Sequence, residues 1–344
     1  MLSPALDETT VSGLVADATA APSMHNTQPW RFHYTPDSRT LALSADLDRA
    51  LPYSDPTLTG LHMGCGAALL NLRVAAVHQG LRPVTTLLPD PRDPSLLATV
   101  RLESAATAAE AQADAQDEAQ AEARDDGLGS LHPAIHDRHT SREPFTDQEL
   151  PEEVRCALAG AARREGAELA FLIGPHLQFV LDLIQDAEGY SRMAPGREAE
   201  LRQWTWDAKS DSPADGVPDY AFGPRKRAGR APARDFAGAG AVSGRPVADF
   251  EDRPHLALLS TPEDGPADWL RAGQAMERVL LLATRHGVSG APATQALEHP
   301  ELRWLLRDPV SGTGHVQMVL RLGYGPRGPR TPRRPIRDVL TIGD

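Results

Sequence analysis

Residues 21–32 read Ala-Pro-Ser-Met-His-Asn-Thr-Gln-Pro-Trp-Arg-Phe. Ser23, His25, Asn26 and Gln28 stand close together there, ahead of Pro29-Trp30. A turn needs a proline and an asparagine, but it has no use for four such side chains at once. Their hydroxyl, imidazole and amide groups offer donors and acceptors to the edge of a planar polar ligand. A second group is cationic. Residues 136–145, His-Asp-Arg-His-Thr-Ser-Arg-Glu-Pro-Phe, set Arg138, Thr140 and Arg142 at two-residue steps, with Ser141 between them. A third lies near the C-terminus, where six arginines fall between positions 321 and 337 with no acid among them. Guanidinium forks and hydroxyls are the groups that hold an anion bidentately.

Other patterns do not survive inspection. Gly323-Tyr-Gly-Pro-Arg-Gly328 matches a dinucleotide fingerprint and follows a strand-like run. Yet Pro329-Arg-Thr-Pro-Arg-Arg-Pro335 cannot open the helix that would hold a pyrophosphate. His132, His136 and His139 lack a carboxylate or thiolate at a known ligand spacing, so no metal site is assigned. Cys65 falls on an apolar helix face and reads as a core residue. No G-x-S-x-G elbow is present.

The elements that must position these groups follow from periodicity and composition. The chain has 344 residues, about two domains' worth. Its formal charge is −12, from 35 basic and 47 acidic residues, a poor balance for nucleic acid. Two cysteines exclude a disulfide framework. The start has neither a basic nor an apolar signal region, and no apolar run approaches a membrane span. A cytoplasmic protein with no membrane or nucleic-acid partner is expected. Residues 103–126 are rich in Ala and Gln, with eight acids against Arg124 and no large apolar residue. We place a linker at 104–129, between a first part at 1–103 and a second at 130–344. Helical spacing marks 7–20, 58–79, 148–163, 176–190, 267–286 and 295–307. Strand patterns mark 30–34, 40–44, 84–88, 98–102, 168–173, 255–260 and 315–322. Each part thus sets strands against a long central helix, an α+β arrangement. Residues 191–250, rich in Gly, Pro, Asp and Arg, form a long excursion or lid.

The 21–32 segment resembles the APS…N.QPW loop of the nitroreductase family of FMN-binding proteins. It is similar above all to the actinobacterial Acg-like branch of NAD(P)H nitroreductases, whose loop looks like APSxHNTQPW. The segment around Arg138, Thr140, Ser141 and Arg142 resembles that family's phosphate-binding stretch. Residues 323–336, with Arg330, Arg333 and Arg334, are similar to its C-terminal strand and basic tail. The resemblance implies a tandem duplicated nitroreductase-like fold in one chain, mimicking the family's homodimer, with one FMN per chain and a monomer. It implies FMN contacts from Ser23, His25, Asn26 and Gln28. It also implies backbone contacts near flavin N5 from Pro292, Ala293, Thr294 and Gln295, in a loop after the second central helix. The flavin would take hydride from NAD(P)H and pass it, in a ping-pong cycle, to a nitroaromatic, quinone or specialised-metabolite acceptor. No side chain is assigned as catalytic. An alternative is a protein that sequesters or stores FMN beneath a closed lid without turnover; a cofactor-free interaction module leaves the 21–32 loop unexplained.

Overall fold

A computed structural model describes residues 5–104, 127–207, 214–238, 242, 244–307 and 314–343. Most of the expected linker, 105–126, lies outside the described residues.

Helix α1 (Glu8–Thr19) begins where the Asp7 carboxylate accepts the Thr10 N–H at 2.7 Å, and it buries Val11, Leu14, Val15 and Ala18. A hairpin of β1 (Trp30–Thr35) and β2 (Thr40–Ala45) follows. The long helix α2 (Thr59–His78) leads to β3 (Leu81–Leu87) and β4 (Leu96–Ser104). Contrary to the expectation that no apolar run approaches a membrane span, α2 is long and apolar enough to cross a bilayer, yet 83% of its apolar window is buried inside the protein. It is a core helix.

The later part contributes α3 (Glu152–Arg164), β5 (Glu168–Phe171) and α4 (Gly174–Arg192). The excursion then runs through α5 (Pro195–Gln203), β6 (Thr205–Trp206), β7 (Val217–Pro218), β8 (Arg225–Ala228) and β9 (Val247–Asp249). Next come β10 (His255–Thr261), the second long helix α6 (Pro266–Arg285), β11 (Ser289–Pro292), β12 (His315–Gly323) and the terminal β13 (Leu340–Ile342). The expected helix at 295–307 is broken into short turns, with His299 extended ahead of Pro300. Proline disfavours a helical residue before it and supplies no N–H.

Two sheets flank the paired central helices. One has the order β13-β1-β2-β4-β3, the other β11-β12-β10-β5. All pairings in these two sheets are antiparallel except β1 with β13, where Phe32 pairs with Leu340. The last strand therefore leaves the later part and joins the sheet of the first, which a division at residue 129 does not foresee. Helices α2 and α6 touch backbone to backbone. A Cβ on Gly66 would collide with the Leu270 carbonyl, and one on Gly273 with that of Met63. Only glycine permits that approach. It brings loops of the first part within reach of side chains from the second.

Candidate functional site

The crossing segment between β12 and β13 threads past the C-terminal end of α1. Arg333 donates from Nε to the Thr19 carbonyl (2.8 Å) and from Nη2 to the carbonyls of Ala20 and Ala21 (both 3.0 Å). Arg138 donates to Ala20 as well, at 3.1 Å. Two guanidiniums thus cap one helix end, where unpaired carbonyls favour cations. Beneath them, the carboxylate of Glu277 on α6 lies 3.1 Å from Arg138 Nε, and both side chains are buried.

These arginines line a pocket of about 400 Å³, open mouth included, together with Asn26, His139, Thr140, Arg142 and Thr331. Among the described residues no carboxylate lines it. The charges leave a mark on His139, whose pKa falls to about 4 through burial and the nearby Arg138, Arg333 and Arg330. Burial, with Arg138 and Arg330 beside it, lowers Arg333 to about 9. Both shifts come first from burial and then from like charge, against the weaker opposing pull of Asp137 on His139 and Glu277 on Arg333.

The pocket adjoins a larger chamber of about 1040 Å³, open mouth included, whose walls include Ser23, Thr140 and Arg142. Its faces are apolar and soft, with Met63, Met276, Met318, Phe222 and Phe236 among them. Pro292, Ala293, Thr294 and Gln295 line it too, and Gln295 Oε1 is buried there without a partner. Arg142 is held by the Ala221 carbonyl at 2.9 Å and lies 4.6 Å above the Phe236 ring. It has no carboxylate partner among the described residues. Burial, then the neighbouring Arg234, lowers its pKa to about 10.

His25 closes one wall. Its backbone is left-handed, with φ of 49°, and its ring is buried. Arg234 Nη1 lies 3.2 Å from His25 Nε2. Arginine can only donate, so Nε2 accepts and the proton sits on Nδ1. That Nδ1 is buried and has no partner. Burial and the charges of Arg234 and Arg142 hold the ring's pKa well below its usual value, so it is neutral. Arg234 itself pairs with Glu298; burial is the largest single influence and lowers its pKa, but Glu298, Glu188 and Glu200 together outweigh it and raise the guanidinium's pKa.

The remaining polar groups of the 21–32 loop are occupied by the fold. Ser23 Oγ accepts the Gln28 N–H at 2.9 Å, while the residue still lines both spaces. Asn26 donates to the carbonyls of Gly216 (2.9 Å) and Pro332 (3.1 Å) and accepts from Arg333 (3.0 Å). Gln28 and Arg334 line neither space. Gln28 donates to Ala214 and accepts the Arg334 N–H, both at 2.8 Å, and the Arg334 side chain reaches Asp46 at 3.3 Å. They clamp the loop to the excursion and the tail. Arg330 is exposed and acts on the pocket through its charge alone. Ser141 donates to the Pro326 carbonyl at 2.7 Å while lining the chamber.

Two sequence expectations need correction. Residues 289–292 are a strand paired with β12, not a loop. The Ala293 N–H is consumed by the Val319 carbonyl at 2.8 Å, and Pro292 has none to give. Within the expected N5 stretch only the Thr294 and Gln295 amides stay available. His132 and His136 do meet a carboxylate: both approach Asp17 of α1, at 2.9 and 2.7 Å. No metal-ligating group of three forms among the described residues. The glycines of 323–328 serve contact, since a Cβ on Gly328 would strike the Thr140 carbonyl and one on Gly323 the Phe145 ring.

Several wall residues were not singled out from sequence: Arg234, Phe222 and Phe236 of the excursion, and Glu277 below. Glu277 left one trace, a carboxylate one residue along from Met276 on a helix whose apolar face is otherwise regular.

Comparison with known proteins gives the following. The chain is 32% identical over 328 residues to a Mycobacterium tuberculosis protein named "Putative NAD(P)H nitroreductase", covering 93% of this chain and 86% of that one. It is 28% identical over 321 residues to "Putative NAD(P)H nitroreductase acg" of the same organism, covering 92% and 89%. Among solved structures, a nitroreductase from Anabaena variabilis aligns with a TM-score of 0.48 at 12% identity, over 92% of this chain and 88% of that one. A Bacteroides fragilis nitroreductase with bound FMN aligns with a TM-score of 0.35 at 15% identity, over 60% and 93%. No family model matches the chain.

Proposed function

The chain belongs to the nitroreductase family of its Mycobacterium tuberculosis relatives, and from that premise we propose that it is an FMN-dependent NAD(P)H oxidoreductase acting on a small electron acceptor. The observation that carries the proposal is a pair of adjoining spaces lined by no carboxylate among the described residues. One is small and ringed by Arg138, His139, Arg142 and Arg333; the other is larger, apolar and supplied with an unpartnered acceptor. An FMN fits this division of labour. The phosphate's negative charge answers Arg142, Arg333 and the depressed His139. The Gln295 Oε1 acceptor suits an imide N–H, and the methionine and phenylalanine walls suit a flat ring.

When bound, FMN supplies the two-electron chemistry that passes hydride from NAD(P)H to a nitroaromatic, quinone or specialised-metabolite acceptor in a ping-pong cycle. The protein's part is to bind, orient and exclude water. Arg138, Arg142, Arg333 and Thr140 hold the phosphate end. Thr294 and Gln295 bring amides to the ring end, and the excursion roofs the chamber through Phe222 and Phe236. We assign no side chain to proton transfer.

We further read the molecule as two nitroreductase-like halves in one chain, imitating a homodimer, with the excursion at 191–250 as a lid. The crossing of β13 onto the sheet of β1 supports this, as does a site built from residues 22–26 on one side and 138–142 and 292–295 on the other. One FMN per chain, a monomer and a cytoplasmic location belong to the proposal. The test is the visible spectrum of the purified protein, flavin quantitation per chain and anaerobic addition of NADPH and NADH. A yellow protein holding one flavin and bleached by either nucleotide is expected. A colourless protein that refuses added FMN overturns the reading, and two flavins per chain overturn the monomeric arrangement.

One observation favours flavin sequestration as a second reading. Residues 214–216 are fastened to the 26–28 loop by the Asn26–Gly216 pair and by Gln28 to Ala214, and to the 47–49 turn by Asp215 to Arg49 at 2.7 Å. A roof so fastened restricts entry of nicotinamide. Excision of the roof should then raise NADPH oxidation; an unchanged rate removes the argument.

A further inference from the structure

Behind the His25–Arg234 wall lies another chamber, of about 1210 Å³ with its mouth, between the end of α4, α5 and the excursion. Its charge is opposite in sign. Four carboxylates, Glu188, Glu198, Asp235 and Glu298, face two guanidiniums, Arg197 and Arg234, a surplus of two negative charges. Most are committed within the fold. Glu298 binds Arg197, Arg234 and Thr294. Asp235 pairs with Arg245 at 2.5 Å, and Glu198 lies 3.7 Å from Arg202.

Glu188 is the exception. Its Oε1 is buried and accepts no hydrogen bond, and no cation among the described residues comes within ion-pair distance of it; Arg234 and Lys226 feel its charge only from farther off. A carboxylate oxygen taken out of water with nothing to replace it is costly, by more than a neutral acceptor would be. The second unmet group in this wall is His25, 6% exposed, whose Nδ1–H has no acceptor. A ligand that relieves both carries a cationic donor for Glu188 and an acceptor for the imidazole.

We propose that this chamber is a binding site for small molecules bearing an ammonium group, and that the electron acceptor of the proposed reaction belongs to that class. Glu188 holds the cation, and the reducible end must pass His25 and Arg234 into the flavin chamber to take hydride, because the reacting atoms have to meet at about 3–3.5 Å. Binding at the chamber does not require a flavin; only the assignment of its ligand as electron acceptor rests on the oxidoreductase reading. Selection against anions follows from the surplus charge, which repels a carboxylate of the same size.

The probes are 4-nitrobenzylamine and 4-nitrobenzoate, matched in size and opposite in charge. Calorimetric titration of the protein as purified should give tighter binding of the amine by about tenfold or more, the effect of one charge-assisted bond. That preference should weaken as salt rises. Glu188→Gln should abolish it, with an unchanged circular dichroism spectrum reporting the fold; should that variant not fold, the salt dependence of the wild type decides. Equal affinity for the two probes, or full amine affinity in Glu188→Gln, overturns the site. In turnover the amine should have the higher kcat/KM. A yellow, NADPH-bleached protein that reduces the benzoate as fast as the amine ends the proposed acceptor class and leaves the flavin reading intact. A colourless protein that still binds the amine through Glu188 ends the flavin reading and leaves the site.

Discussion

Two chambers meet at His25 and Arg234, one walled without a carboxylate and the other with four. The arginines record the difference. Arg234 reaches across the wall to Glu298, and its pKa rises. Arg142, in the same first chamber, has only the Ala221 carbonyl and the Phe236 face, and its pKa falls to about 10. Arginine stays charged in either setting. The lesson is that a buried cation already satisfied by an acid behind it adds little to ligand binding, whereas one facing empty space is poised for an anion. Glu298 therefore does more than build the second chamber: it offsets part of the charge that Arg234 still presses on Arg142 and His25 in the first.

The comparison breaks most violently at Glu277, the acid paired with Arg138 beneath the cationic pocket. Glu277→Gln removes the partner of buried Arg138 and should cost about 3–5 kcal/mol of folding stability, the usual penalty for an orphaned buried charge. Chemical denaturation measures it. Inorganic phosphate should restore part of the loss, because the pocket now carries one more uncompensated charge. Burial raises the Glu277 pKa against the pull of Arg138. A cost below about 1 kcal/mol would mean that burial wins, that the carboxyl is protonated in the folded state, and that Arg138 is already without a counter-ion.

Arg142→Ala is smaller and sharper. If Arg142 is a phosphate ligand, the variant loses roughly 1.5–3 kcal/mol of FMN affinity, the range for a bond to a charged group. Riboflavin, which has no phosphate, should bind wild type and variant alike. Equal losses for both ligands would make Arg142 a wall residue that packs on Phe236 and nothing more.

The first chamber was largely legible in the sequence and the second was not, for a physical reason. Ser23, His25, Arg138, Thr140 and Arg142 sit in two short runs, where local geometry converts spacing directly into convergence. The second chamber takes Glu188 from α4, Glu198 from α5, Arg234 from the excursion and Glu298 from a turn after β11. Nothing in their spacing ties them together; only the packing of α4 and the excursion does. The path of β13 was hidden for a similar reason, since strand pairing between residues 32 and 340 carries no local signal. Gln28 and Arg334 show the converse limit. Their types suit ligand recognition, but the fold turns them on each other.

The smallest effect concerns His139, and its sign follows from linkage. Burial and the surrounding arginines hold its folded pKa near 4, against 6.5 for a free imidazole. Between those values the unfolded chain binds a proton that the folded chain refuses. Stability from this residue is therefore complete above pH 6.5 and declines as pH falls toward 4. Other depressed histidines, His25 among them, act in the same direction, so the informative quantity is a difference between variants. In His139→Asn the drop in melting temperature from pH 7 to pH 5 should be smaller than in the wild type. An anion in the pocket offsets the arginines and raises the His139 pKa, so added phosphate should shrink the wild-type drop toward that of the variant. It should leave the variant's own drop nearly unchanged. If phosphate alters both drops equally, the anion binds elsewhere, and the contrast between a cation-walled and an acid-walled chamber loses its most direct support.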